Sequence, residues 1–225
     1  MKMADLIDGN PYLLLMLQHF NIDFRVSDRT VLQLCVQYDI SEQLFMSIAN
    51  LYNGSGIIGE RPFTKKDLLR VIDFLKSTHD YYRFDKYPQI STYIRHLQEN
   101  HPEKELKLLE KFFNEYFMEV REHLDYEDEV AFPYFITLLD SNKQNNDQEV
   151  YSSGEYSEHH TDIELKLKDL KNLLLKYIKI DNDLDLRRKL FMSLYELEFD
   201  LYIHSLIEET ILIPSGMDIE REQNE

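Results

Sequence analysis

His123 and Glu127 stand four residues apart, and so do His204 and Glu208. On a helix, residues at i and i+4 share one face with Cβ atoms about 5–6 Å apart, so each pair can offer an imidazole and a carboxylate to one ion. The two pairs are 81 residues apart, and each is followed by a proline ten residues past its histidine, Pro133 and Pro214. His79 and His160 are also 81 residues apart. Each half of the chain thus carries a lone histidine and, 44 residues later, a His-x-x-x-Glu.

Four imidazoles and two carboxylates are too many ligands for one tetrahedral zinc. Divided between two ions, they give each ion two histidines and leave both carboxylates free to bridge. Imidazole mixed with carboxylate suits iron, manganese or zinc, and ligand affinity does not choose among them. No cysteine lies near the six, which argues against an iron–sulfur cluster held by this chain. A single His-x-x-x-Glu is ordinarily a solvent-exposed, helix-supporting pair. Six ligand-type residues and two prolines in one register are a different matter, and His79, His123, Glu127, His160, His204 and Glu208 are the expected metal ligands. Glu119 and Asp200 each precede a paired histidine by four. They are candidate acceptors for the second ring N–H, or their positions are incidental on helices this acidic.

The elements that must position these ligands read as helices throughout. Ser27 or Asp28 is a candidate cap for a helix through Tyr38, and Ser41 for one through Tyr52. Asn53-Gly54-Ser55-Gly56 breaks the pattern. Thr64 opens a helix through His79 with Leu68, Leu69, Val71, Ile72 and Leu75 as core positions. Pro88 interrupts the segment that continues to about Glu99. Pro102 suits the first turn of a helix that carries Leu106, Leu109, Phe112, Phe113, Tyr116, Phe117 and Val120 towards Pro133. Ser141 to Tyr156 has no apolar period and reads as a connection between the halves. A helix from Ser157 carries Ile163, Leu167, Leu170 and Leu174. A last one runs from Asp183 to Leu212 and ends at Pro214-Ser215-Gly216, with a charged tail from Asp218. The expected architecture is all-α: a small helical domain over residues 1–60 and an antiparallel four-helix bundle over 61–225.

These residues resemble the hemerythrin-like domain, and within it the Repair of Iron Centers family. In that family the paired segments read like His-x-x-x-Glu-Glu-x-x-Leu-Phe-Pro. Here the first is His123-Leu-Asp-Tyr-Glu127-Asp-Glu-Val-Ala-Phe132-Pro133, and the second is His204-Ser-Leu-Ile-Glu208-Glu209-Thr-Ile-Leu-Ile-Pro214. The third family histidine resembles His160 in Glu158-His159-His160-Thr161-Asp162, and the first resembles His79 ahead of Tyr87-Pro88. The fifth histidine of oxygen-carrying hemerythrins, in a His-x-x-x-His pair, has no counterpart. Residues 1–53 resemble the short helical unit that precedes many repair proteins, with Phe24-Arg25 where many members have Cys-Cys. The resemblance implies two non-haem iron ions, oxo- and carboxylate-bridged. It also implies a role in restoring iron–sulfur clusters damaged by oxidative or nitrosative stress, by iron donation or nitric oxide processing, with damaged iron–sulfur proteins as clients. An O2- or NO-binding sensor is the alternative. No catalytic residue is assigned, and monomer and homodimer both stay open.

The formal net charge of -17 repels phosphate backbones and disfavours nucleic-acid binding. Residues 1–60 hold three basic and seven acidic side chains, which weakens a helix-turn-helix reading of Val31 to Leu51. Without a run of 18 apolar residues or a signal-like start, and with Cys35 alone, the expectation is a cytoplasmic protein with no membrane partner. Cys35 reads as a small core residue. Of the fifteen tyrosines, Tyr81, Tyr126 and Tyr202 are those expected to approach the interior, although core packing accounts for most. His19, His96 and His101, without partners at the 81-residue period, are expected at the surface or in loops.

Overall fold

The computed structural model describes residues 1–59, 61–101, 104–140, 152–159, 163–176 and 182–224. Among them every named element is helical, and the only β pairing is an isolated bridge between Lys2 and Thr30. The order is α1 (Met3–Gly9), α2 (Leu13–His19), α3 (Val31–Gln37), α4 (Glu42–Tyr52), α5 (Lys65–Tyr81), π1 (Tyr82–Lys86), α6 (Tyr87–Asn100), α7 (Lys104–Tyr126), π2 (Glu127–Ala131), α8 (Phe132–Leu139), α9 (Ser153–His159), α10 (Ile163–Lys176), α11 (Leu184–Ile207), π3 (Glu208–Leu212) and α12 (Ile213–Asn224). No helix among the described residues is long and apolar enough to cross a membrane.

The helix starts follow cap chemistry. Ser41 Oγ accepts the Leu44 N–H at 3.1 Å, as its position requires. Thr64 accepts the Asp67 N–H at 3.2 Å while Asp67 accepts the Thr64 N–H at 3.0 Å, so each satisfies a donor that the helix leaves open. For α3 the cap is Thr30, in a reciprocal pair with Gln33, rather than Ser27 or Asp28. Ser27 instead takes a positive φ of 50° in the turn before it.

Three five-residue π turns interrupt the long helices, and each begins six residues before a proline: Pro88, Pro133 or Pro214. A proline inside an α-helix has no N–H to give and its ring meets the carbonyl four residues back. Widening the preceding turn by one residue lets the helical path continue past it. The Tyr87 N–H reaches the Tyr82 carbonyl, and the Ile213 N–H reaches the Glu208 carbonyl, five residues back in both cases. The sequence marks these prolines as interruptions or ends. The chain instead stays helical through all three, and the segment beyond Pro214 is the ordered helix α12.

The described chain divides into two compact units, Met1–Thr78 with Val130–His160 and Ile203–Glu225, and His79–Glu129 with Thr161–Tyr202. In the first, α1 to α4 close over Met3, Leu13, Met16, Leu17, Leu34, Phe45 and Ile48, all buried. Each such side chain contributes about 1.5–3 kcal/mol by leaving water. Phe20 joins this cluster to α5, with ring centroids 5.8 Å from Phe45 and 4.8 Å from Phe74. His19 lies buried against the edge of Phe74 at 5.3 Å, which corrects its expected surface position. In the same unit α12 packs on α8, α9 and π3. Gly216 permits that approach: a Cβ there would lie 2.5 Å from the Phe135 ring and closer still to Ser153 Oγ.

In the second unit α7 packs on α6 and α10. Tyr87 stacks on Phe117 with centroids 3.9 Å apart, and Leu106, Leu109, Val120 and Leu124 are buried along the α7 stripe. Leu167, Leu170 and Leu174 of α10 are buried as their spacing predicts. Phe112 of α7 and, in the first unit, Leu69 of α5 are exposed, at the edges of their stripes. Lys86 is buried with Glu196 at 2.7 Å, and Tyr81 donates to the same Glu196 oxygen at 2.6 Å. Burial, the Asp200 charge and the Glu196 bond push the Tyr81 phenol far above its ordinary value.

Candidate metal centre

One half of the expected ligand set is built from α5, α7 and π2. His79 lies near the end of α5, His123 near the end of α7, and Glu127 opens π2. Glu127 and His79 are fully buried. The two carboxylate oxygens of Glu127 face different histidines: Oε2 is 3.1 Å from His79 Nε2, and Oε1 is 2.8 Å from His123 Nε2. Behind His79, Nδ1 lies 3.0 Å from Asp128 Oδ1. A carboxylate only accepts, so Nδ1 carries the proton it donates and Nε2 is left to face Glu127. Arg83 of π1 holds Asp128 at 2.7 Å and Asp125 at 2.7 Å. Burial raises the Asp128 carboxyl, but the hydrogen bonds from His79 and Arg83 and the guanidinium charge outweigh it and hold the carboxyl below its usual range.

The second half is built from α5, α9, α11 and π3. His204 Nε2 lies 3.3 Å from Glu208 Oε1, and both residues are buried. Thr78 Oγ1 is 2.7 Å from His204 Nδ1 and also donates to the Leu75 carbonyl at 2.7 Å. A hydroxyl has one proton. With that proton on Leu75, Thr78 accepts from His204 Nδ1–H, and Nε2 again presents its lone pair. Tyr156 of α9, buried, donates its phenol proton to Glu208 Oε1.

His79 with Glu127, and His204 with Glu208, are each a buried imidazole–carboxylate pair of a kind that can hold a metal ion. The donor chemistry fits. Ligand atoms about 2.1 Å from one ion lie about 3.0 Å apart at octahedral angles and about 3.4 Å apart at tetrahedral ones. The three imidazole–carboxylate separations, 2.8, 3.1 and 3.3 Å, fall in or near that range. A neutral imidazole lone pair and a carboxylate oxygen this close also need a cation between them, a proton or a metal.

Five of the six expected ligands therefore lie beside an expected partner: His79 and His123 on Glu127, and His204 on Glu208. His160 lies outside the described residues. Of the two readings of Glu119 and Asp200, support of a histidine or an incidental position, the second fits Glu119. Glu119 is half-exposed and pairs with Lys166, while Asp128 holds Nδ1 of His79 and Thr78 holds Nδ1 of His204. Asp200 is buried and acts on Tyr81. Tyr202 is exposed, Tyr126 half-buried, and Tyr81 bonds Glu196.

Sequence reading missed Asp128, Thr78 and Tyr156. Asp128 and Thr78 each sit next to a ligand, which on an α-helix means about 100° around the axis. The wider π2 turn changes that angle for Asp128. For Tyr156 a signal existed: it stands four residues before His160, the place that Glu119 and Asp200 hold before their histidines. No family model, curated protein or solved structure matches the chain.

Proposed function

We propose that the chain is a dinuclear non-haem iron protein that supports repair of iron–sulfur clusters damaged by oxidative or nitrosative stress. In this reading His79, His123, Glu127, His160, His204 and Glu208 hold two irons within an antiparallel four-helix bundle over residues 61–225, behind a helical domain over 1–60. The observation that carries it is the buried carboxylate of Glu127, with an imidazole Nε2 facing each of its two oxygens. A carboxylate placed so is arranged to bridge. The choice of iron and of repair rests on the resemblance of the His-x-x-x-Glu…Pro segments to the Repair of Iron Centers family.

Bound iron would supply redox chemistry or a transferable metal. The chain's own part is to present imidazole nitrogens and carboxylate oxygens from buried positions, with Asp128 and Thr78 holding the far ring nitrogens of His79 and His204. Clients would be iron–sulfur proteins that have lost or nitrosylated a cluster, met in the cytoplasm. The test is reactivation: iron-loaded protein added to a nitrosylated iron–sulfur enzyme should restore its activity, and loaded protein that never does so removes the repair role. A stable visible adduct with O2 or NO, without reactivation, would favour gas binding or sensing instead.

A further inference from the structure

Building on that metal-centre reading, we propose that Tyr156 is a positioning residue for Glu208, fixing the carboxylate in the orientation that receives a metal. The phenol donates to Oε1, the same oxygen that faces His204 Nε2 at 3.3 Å. Each carboxylate oxygen has two lone pairs. The phenol occupies one, and the other is turned towards the imidazole. A glutamate's terminal torsion is broad and nearly two-fold, so a hydrogen bond to one of its oxygens narrows the orientations open to the carboxylate. Tyr156 and Glu208 are both buried, so the bond is made away from competing water.

The surroundings fix the phenol in turn. Ser153 opens α9 and gives its backbone N–H and its hydroxyl to Glu220 of α12, at 2.8 and 2.6 Å. Tyr134 of α8 donates to the same Glu220 oxygen. The Phe135 ring meets Tyr156 edge-on at 5.8 Å. Gly216 leaves the space that Ser153 and Phe135 fill. At the 81-residue period the counterpart of Tyr156 is Leu75, whose side chain has no proton to donate.

The test is Tyr156→Phe, read as iron retention against a chelator, as the visible spectrum of the loaded protein and as the melting temperature of the metal-free protein. Retention should weaken about 10-fold or more, with a changed spectrum and little change in metal-free melting. Equal retention with an unchanged spectrum overturns the inference, and so does a lower melting temperature as the sole effect. If Y156F does not fold, Glu220→Gln, which loosens α9 and alters no ligand, is read in its place. It should lower retention in the same direction, and unchanged retention overturns the inference. Native protein that binds no metal overturns the metal-centre reading and this inference together, whereas native binding with no effect of either variant overturns this inference alone.

Discussion

The half with His79, His123 and Glu127 and the half with His204 and Glu208 each place a histidine four residues before a glutamate that opens a π turn, six residues before a proline. They differ in what stands behind them. Glu127 turns an oxygen to each of two histidines, and among the described residues Glu208 Oε1 faces His204 and accepts from Tyr156. His79 is backed by a carboxylate that an arginine clamps, whereas His204 is backed by a neutral hydroxyl relayed to a carbonyl. The supports seen in the two halves thus differ in charge, a carboxylate in one and a hydroxyl in the other. Support is what tunes a ligand's basicity and mobility, so two halves that look equivalent as ligands are expected to hold metal unequally.

The carboxylates carry the largest expected effect. Glu127→Ala and Glu208→Ala each remove a buried carboxylate that faces an imidazole. Both variants should bind metal at least about 10-fold more weakly than native protein. Unchanged metal content after gel filtration in either variant would show that the carboxylate it removes holds no metal. The histidine supports come next. Asp128→Asn removes a charged acceptor, for which a hydrogen bond is worth about 1.5–3 kcal/mol, and Thr78→Val a neutral one, worth about 0.5–1.5 kcal/mol. Chelator competition should therefore rank D128N below T78V in retention, and the reverse order would break the comparison.

Gly216→Ala acts on one half from outside it. The added methyl must displace Phe135 or Ser153, an overpacking that costs about 1–3 kcal/mol. A lower melting temperature is expected, together with a changed environment at Tyr156. Cys35 supplies the smallest effect. Burial, with the Glu42 charge, pushes its thiol from 9.0 up to about 11. The folded pKa is the higher one, so the neutral thiol's contribution is complete below 9.0 and fades as pH rises towards about 11. At pH 8 the folded protein should resist alkylation, whereas urea-unfolded protein should react readily. Rapid labelling of folded protein would show that the site opens.

The closeness of His123 to Glu127 and of His204 to Glu208 was legible because helical period leaves a mark in spacing: i and i+4 share a face. The apolar stripes of α7 and α10 were legible for the same reason. The π turns were not, because a proline announces only that an α-helix cannot continue unchanged. Whether the chain ends, kinks or widens there depends on what packs around it. The pairing of Tyr156 with Glu208 joins residues 52 apart and depends on how Gly216 lets α9 approach. Low apolar content made the stretch to Tyr156 read as connection, yet from Ser153 it is helix held by Glu220. Asp128 and Thr78 were passed over because an α-helical wheel turns a ligand's immediate neighbours away from the site.

The most direct test of the central claim is metal content together with the visible spectrum of protein produced under iron-replete conditions. Two irons per chain with an oxo-bridge absorption band are expected. Protein that carries zinc alone or no metal, correctly folded and with His79, Glu127 and His204 intact, would contradict the account.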